Sequence, residues 1–347
     1  MEVTFEDVKE AAERIRPFVN RTPVLTSTTI DSLASTHLSS SANPLRIKIF
    51  FKCENFQKIG AFKYRGATNA ILQLISSPDP TQSVITHSSG NHAQALALAG
   101  SRHGLQAHII MPSTAPAVKK EAVIGYGAAV HECEATLESR ERKMQEVMQE
   151  LEKRGKNATF VPPFNHPHIV AGQGTATLEL FEERNVHVMM APVGGGGLLS
   201  GTAIAAKGKG DVLVVAAEPA GADDAFRSFY GQELVPSTNP RTVADGLLTS
   251  LGDVTYKIVK EKVDAIFTVE EQEIIRATKL VWERMKMIIE PSSAVPLAVA
   301  LYSEKFKEYL QDWAQKKGQD EIDIGIIVSG GNVDFKRMVD LFDTLEQ

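Results

Sequence analysis

Short apolar runs alternate with stretches of helical period along most of the chain, and most runs close in glycine or a polar turn. Runs at residues 47–51, 84–86, 107–111, 186–191, 212–217, 266–269 and 324–328 predict strands. Helical spacing at 93–100, 118–126 and 175–183 predicts helices between them. Strands this apolar are covered on both faces, which predicts a parallel α/β sheet flanked by helices. Thr4 and Asp7 make a capping box for a helix carrying Val8, Ala12, Ile15 and Val19, which Pro17 bends or ends. Residues 36–44 read as an exposed loop, and 138–156 as a solvated helix laced by Glu138–Arg142 and Glu150–Arg154 pairs. Thr268 and Glu271 read as the cap of a helix that buries Ile274, Ala277, Val281, Met285 and Ile288.

Three apolar runs end in glycine turns: His87-Ser88-Ser89-Gly90-Asn91-His92, Gly194-Gly195-Gly196-Gly197, and Ser329-Gly330-Gly331-Asn332. Ligands of open α/β sheets bind beyond the carboxyl ends of strands, so the three turns are expected to line one site. Gly194 to Gly197 suit a phosphate, because bare backbone N–H groups at a helix start approach an anion closely. A dinucleotide fingerprint fits poorly: the glycines at 194 and 196 meet Leu199, and the set from Gly195 meets Ser200. Glu218, about 20 residues on, keeps a ribose-binding rival open. Lys63 lies between Gly60 and Arg65-Gly66, just past an apolar run. Desolvation, or the neighbouring Lys58 and Arg65, would lower its pKa and make its amine a nucleophile. A lone lysine of this kind is usually a surface residue. Beside a phosphate cup it completes the minimal kit for pyridoxal phosphate.

With 347 residues, 43% of them hydrophobic, the chain has ample material for a large core. A net charge of −6 disfavours nucleic-acid and anionic-membrane binding. No apolar run approaches the roughly 20 residues that span a bilayer. The acidic N-terminus is no secretory signal. Cys53 and Cys133 form no zinc or CxxC spacing, so a reduced, cytoplasmic enzyme is expected.

Together the lysine segment and the three turns resemble the serine racemase and serine/threonine dehydratase family of fold-type II pyridoxal-phosphate enzymes. The likeness runs from Arg21-Thr22-Pro23-Val24 to Ser329-Gly330-Gly331-Asn332-Val333-Asp334, and includes the 3-hydroxyaspartate dehydratases. It implies a tryptophan synthase β-like α/β fold with two open twisted sheets flanked by helices. Residues 1–85 and 161–347 would form a large cofactor domain, 86–160 a small mobile domain, and two chains a homodimer. Lys63 would hold the cofactor as an imine and move the Cα proton on one face; Ser89 would serve the other. Phe62, Asn91, Gly194, Gly195, Gly196, Gly197 and Ser329 would bind the cofactor. Ser88, Ser89, Asn91, His92, Arg140, Asn165 and Asp245 would bind the substrate. A hydroxyl such as Ser329 at the pyridine nitrogen leaves a weaker electron sink and favours β-elimination.

The resemblance implies serine racemisation with β-elimination of L-serine and L-threonine to a 2-oxo acid and ammonia. The alternative is a threo-3-hydroxyaspartate dehydratase with little racemisation. Alanine usually stands at the Ser89 position in bacterial-type threonine dehydratases, so this serine favours racemisation. Residues 162–167 favour the hydroxyaspartate type, with His166 and Arg140 as contacts for a second carboxylate, although a histidine in such a loop is more often a packed residue. Arg140 reads equally well as part of a solvated helix face. Glu218, Asp224 and the Ala222 carbonyl match a Mg²⁺ site that also suits Ca²⁺ or Mn²⁺. Ser27, Thr28, Thr29, Lys58, Gln94, Tyr126, Lys286 and Asn332 match an intersubunit ATP effector site, with Ile59 departing from its pattern. A nicotinamide enzyme and a catalytically silent amino-acid sensor are the rivals from other classes.

Overall fold

The structure is a computed structural model that describes residues 2–345 except Pro116 and Gln232. Its strands are β1 (Val24–Leu25), β2 (Arg46–Cys53), β3 (Ser83–His87), β4 (Gln106–Pro112), β5 (Ala129–Cys133), β6 (Ala158–Phe160), β7 (Val188–Pro192), β8 (Leu213–Pro219), β9 (Ala265–Val269) and β10 (Glu321–Val328). They form a six-stranded sheet, ordered β1-β2-β10-β7-β8-β9, and a four-stranded sheet, ordered β5-β4-β3-β6. All neighbours run parallel except β1 with β2. The expected boundary at residue 86 falls inside β3, which opens the smaller sheet at Ser83.

Each predicted strand is present, with shifted ends. Three strands lacked an apolar signal: β1, β5 and β6. All three are sheet edges, and none of their residues is buried. An edge strand buries less and so needs no continuous apolar run. In the larger sheet Val188, Met190, Val215 and Ala217 pack on one face, and Met189, Ala191, Val214 and Ala216 on the other.

The capping box of Thr4 and Asp7 starts the helix Phe5–Ile15, which stops before Pro17. Residues 36–38 are not loop but the end of the helix Thr28–Leu38. Its Ser/Thr-rich surface masks the buried spacing Ile30, Ala34, Leu38. The helix expected from 175 begins at Pro167, where proline fits the first turn. Thr268 lies in β9; Glu270 and Glu273 form the cap of the helix Glu271–Met285. Ile288, past that helix, is 44% exposed and so not core. No helix among the described residues is long and apolar enough to cross a membrane.

Candidate active site

Lys63 opens the helix Lys63–Ile75, reached from β2 through two tight 3₁₀ turns. Its Nζ donates to the Pro163 carbonyl at 2.8 Å and sits 5.1 Å from the centre of the Phe62 ring. Burial pushes its pKa down to about 8, against the pull of the Glu290 carboxylate. The neighbouring cations are not the cause. Arg65 is buried against Glu54 and Glu179, and the Lys58 ammonium donates to the Phe18 carbonyl.

The glycine cup joins β7 to the helix Gly197–Lys209. Gly196 is its N-cap at φ +84°, and no side chain caps the helix start. A Cβ on Gly195 would lie 2.3 Å from the Phe164 ring, and one on Gly194 would lie 2.9 Å from Leu247 Cα. Packing therefore admits nothing larger than glycine, and the first-turn N–H groups have no side-chain acceptor. An uncapped helix start and a buried, weakly basic amine fit the phosphate and aldehyde of pyridoxal phosphate.

The turn after β3 and the turn after β10 meet above Lys63. The Phe62 N–H donates to Ser329 O at 2.9 Å, and Ala61 pairs with Gly330. Asn91 opens the helix Asn91–Arg102. Asn91 Nδ2 lies 3.2 Å from both Glu290 oxygens, and Asn91 Oδ1 accepts from Asn332 Nδ2 at 2.8 Å. Glu290, which sequence reasoning missed, is buried, and burial pushes its carboxyl up to about 7. Its trace in the sequence is an acid directly before Pro291 and an apolar helix. Ser293, also missed, has its Oγ 2.9 Å from Ser329 Oγ and clamps the Gly330 backbone.

In the turn after β3, Ser88 Oγ accepts from the Gly90 N–H at 3.3 Å. Ser89 Oγ has no hydrogen-bond partner among the described residues. His92 Nε2 pairs with Val161 O at 3.1 Å while its buried Nδ1 has no partner. Burial, then the Lys63 charge, pushes His92 down to about 3, so the ring is neutral. The buried Arg140 Nε is likewise without a partner, and burial, then the Arg140 charge, depresses His87. Asp245 lies 3.6 Å from Lys119 and 3.9 Å from Arg337.

Two residues expected near the substrate make contacts within the chain. Asn165 is a helix anchor: its Oδ1 accepts from Val254 N at 3.0 Å, and its Nδ2 donates to Asp253 at 2.7 Å. His166 caps the helix Pro167–Glu183, accepting from His168 N, and its ring lies against His168.

Glu218, next to last in β8, is buried and accepts from the N–H groups of Ala225 at 2.8 Å and Phe226 at 2.7 Å. Burial, with Asp224 and Asp223 adding charge, pushes it up to about 9. Asp224 is buried, with Oδ2 unpartnered, next to the buried Ala222. Two buried acids with an orphaned oxygen fit a hard cation. The proposed nucleotide residues do not join one another by side-chain bonds among the described residues. Ser27 caps the helix Thr28–Leu38, Lys286 is a left-handed cap at φ 57°, and Asn332 belongs with Asn91.

Lys63, the glycine cup and Ser329 at the strand ends are the frame of a pyridoxal-phosphate enzyme. The profile of the pyridoxal-phosphate dependent enzyme family matches residues 15–314, and the chain belongs to that family. It is 46% identical over 336 residues to the serine racemase of Dictyostelium discoideum, covering 96% of this chain and 95% of the relative. It is 42% identical over 337 residues to the beta-hydroxyaspartate dehydratase of Paracoccus denitrificans, covering 96% and 98%. The structure of maize serine racemase superposes with a TM-score of 0.87 at 40% identity, covering 100% and 99%. The family and fold expected from the motifs are borne out.

Proposed function

We propose that this enzyme racemises serine and also eliminates water from L-serine and L-threonine, giving a 2-oxo acid and ammonia. Bound pyridoxal phosphate supplies the electron withdrawal that loosens the Cα proton and the β-hydroxyl. The chain's own groups do the rest. Lys63 Nζ takes the proton from one face of Cα. Ser89 Oγ gives a proton to the other, and its unpartnered hydroxyl, together with the buried Lys63 amine, carries the reading. Asn91, oriented by Glu290 and Asn332, would hold the ring oxygen of the cofactor. Ser88 and the neutral His92 surround the substrate carboxylate. Ser329, held by Ser293, would present a hydroxyl to the ring nitrogen, a weaker partner than a carboxylate and one that suits β-elimination.

Arg140 supports a second reading. A guanidinium with a buried, unpartnered Nε suits the second carboxylate of threo-3-hydroxyaspartate. Glu218, Asp224 and the Ala222 carbonyl would hold Mg²⁺. Exposed Phe56, Ile288, Phe335 and Val339 support a homodimer, and two unpaired cysteines a reducing cytoplasm. ATP as effector would sit between subunits and reach the cofactor through Asn332. Residues 86–160 would close over the substrate.

The test is proton NMR with L-serine and Mg²⁺ in D₂O, followed by chiral analysis. D-serine deuterated at Cα is expected. Pyruvate alone would overturn the racemase reading in favour of a dehydratase. In Ser89→Ala, D-serine is expected to vanish while pyruvate from L-serine persists.

A further inference from the structure

The helix Pro167–Glu183 lies between the helix that carries Lys63 and the helix that starts at the glycine cup. Gly172 and Gly174 are two residues apart on it and so face roughly opposite sides. On one side, a Cβ at Gly172 would lie 2.7 Å from Gly66 Cα and 2.9 Å from the Arg65 carbonyl. On the other, a Cβ at Gly174 would lie 2.7 Å from the Gly201 carbonyl, and one at Gly201 would lie 2.5 Å from Gly174 N. Side chains do not tolerate such distances, so backbone touches backbone at both seams. Such contact fixes helix separation more tightly than side-chain packing, which settles anywhere in roughly 8–10 Å.

Each seam is pinned by a polar bond. Gln173 Oε1 accepts from Gly66 N at 3.0 Å, and the Thr177 and Thr202 hydroxyls are 3.1 Å apart. Glu179 adds a bidentate grip on Arg65, at 2.7 and 2.8 Å. Gly66 lies about one turn from Lys63, and Gly201 about one turn from Gly197. Both ends of the cofactor site are thus referred to a single helix.

We infer that the helix Pro167–Glu183 is the spacer that fixes the span from the Lys63 amine to the glycine cup, with Gly172 and Gly174 as positioning residues. The inference rests on the reading that Lys63 takes the aldehyde of pyridoxal phosphate and the cup takes its phosphate. A ligand gripped at both ends gains affinity from the second grip only when the span matches. A misplacement of about 1 Å forfeits much of that gain.

The full-length chain, stripped of cofactor, is titrated with pyridoxal phosphate and, separately, with pyridoxal, which has the aldehyde without the phosphate. Both are read by the absorbance of the lysine-bound chromophore. Wild type is expected to prefer pyridoxal phosphate strongly. Gly174→Ala, which displaces the cup side, is expected to cut that preference about tenfold or more while pyridoxal affinity stays within about twofold. Equal loss for both ligands, or a lower melting temperature with an unchanged preference, would overturn the spacer. Should Gly174→Ala fail to fold, Thr177→Val at the same seam decides: a fall of about threefold supports the spacer and an unchanged preference overturns it. No chromophore, or no preference in wild type, would instead refute the underlying assignment of Lys63 and the cup.

Discussion

Glu290 holds both carboxylate oxygens 3.2 Å from the Asn91 amide nitrogen, although 199 positions separate the two residues. The carboxyl is buried, and burial lifts it from 4.5 to about 7. The unfolded chain releases this proton near pH 4.5 while the folded one keeps it until about pH 7. Stability of the cofactor-free protein is therefore highest below the unfolded pKa and falls as pH rises through that window. The loss is about 3 kcal/mol for this group. Glu290→Gln is expected to remove this slope. Urea denaturation of both proteins between pH 4.5 and 8 checks it, and a variant–wild-type difference that does not change with pH counts against it.

Lys63→Ala is expected to abolish the lysine-bound absorbance and to lower kcat by at least 10²–10⁴-fold. In wild type, the rate of cofactor capture is expected to rise with pH through about 8, as the buried amine loses its proton. Stopped-flow absorbance measures both effects. Normal turnover in the variant would remove Lys63 from the mechanism.

Arg65 binds Glu54 and Glu179 together, and Lys52 reaches Glu179 at 2.7 Å. Replacing this buried cation leaves two carboxylates with one cation, Lys52, and the Thr22 hydroxyl on Glu54. Arg65→Met is expected to cost about 3–5 kcal/mol. Arg65→Lys rescues little, because an ammonium lacks the planar fork that grips both carboxylates bidentately. A lower urea midpoint at constant slope is the expected result. An unchanged midpoint would show that the network contributes nothing net.

Mg²⁺ or Ca²⁺ is expected to raise the melting temperature of chelator-treated protein through Glu218 and Asp224. Saturation to 100 times Kd corresponds to about 2.7 kcal/mol. Asp224→Asn should remove the shift. An equal shift in the variant would place the cation elsewhere.

The sequence by itself determined the covered parallel strands, the family, and the motifs of Lys63, Ser88 to Asn91 and Gly194 to Gly197. Those signals are local: an apolar run marks a strand buried on both faces, and contiguous residue types carry their own chemistry. Tertiary structure decided the rest. Arg65 beside Lys63 in the sequence reads as a cation able to tune it, yet two carboxylates from distant segments draw it away. Nothing local to Asn165 foretells that its side chain meets the start of the helix Asp253–Lys262. Glu290 and Ser293 look like ordinary helix-start residues before β10 brings Ser329 and Gly330 against them. Gly172 and Gly174 look like helix weaknesses until two other backbones lie against them. Burial and long-range contact set these roles, and neither exists until the chain has folded.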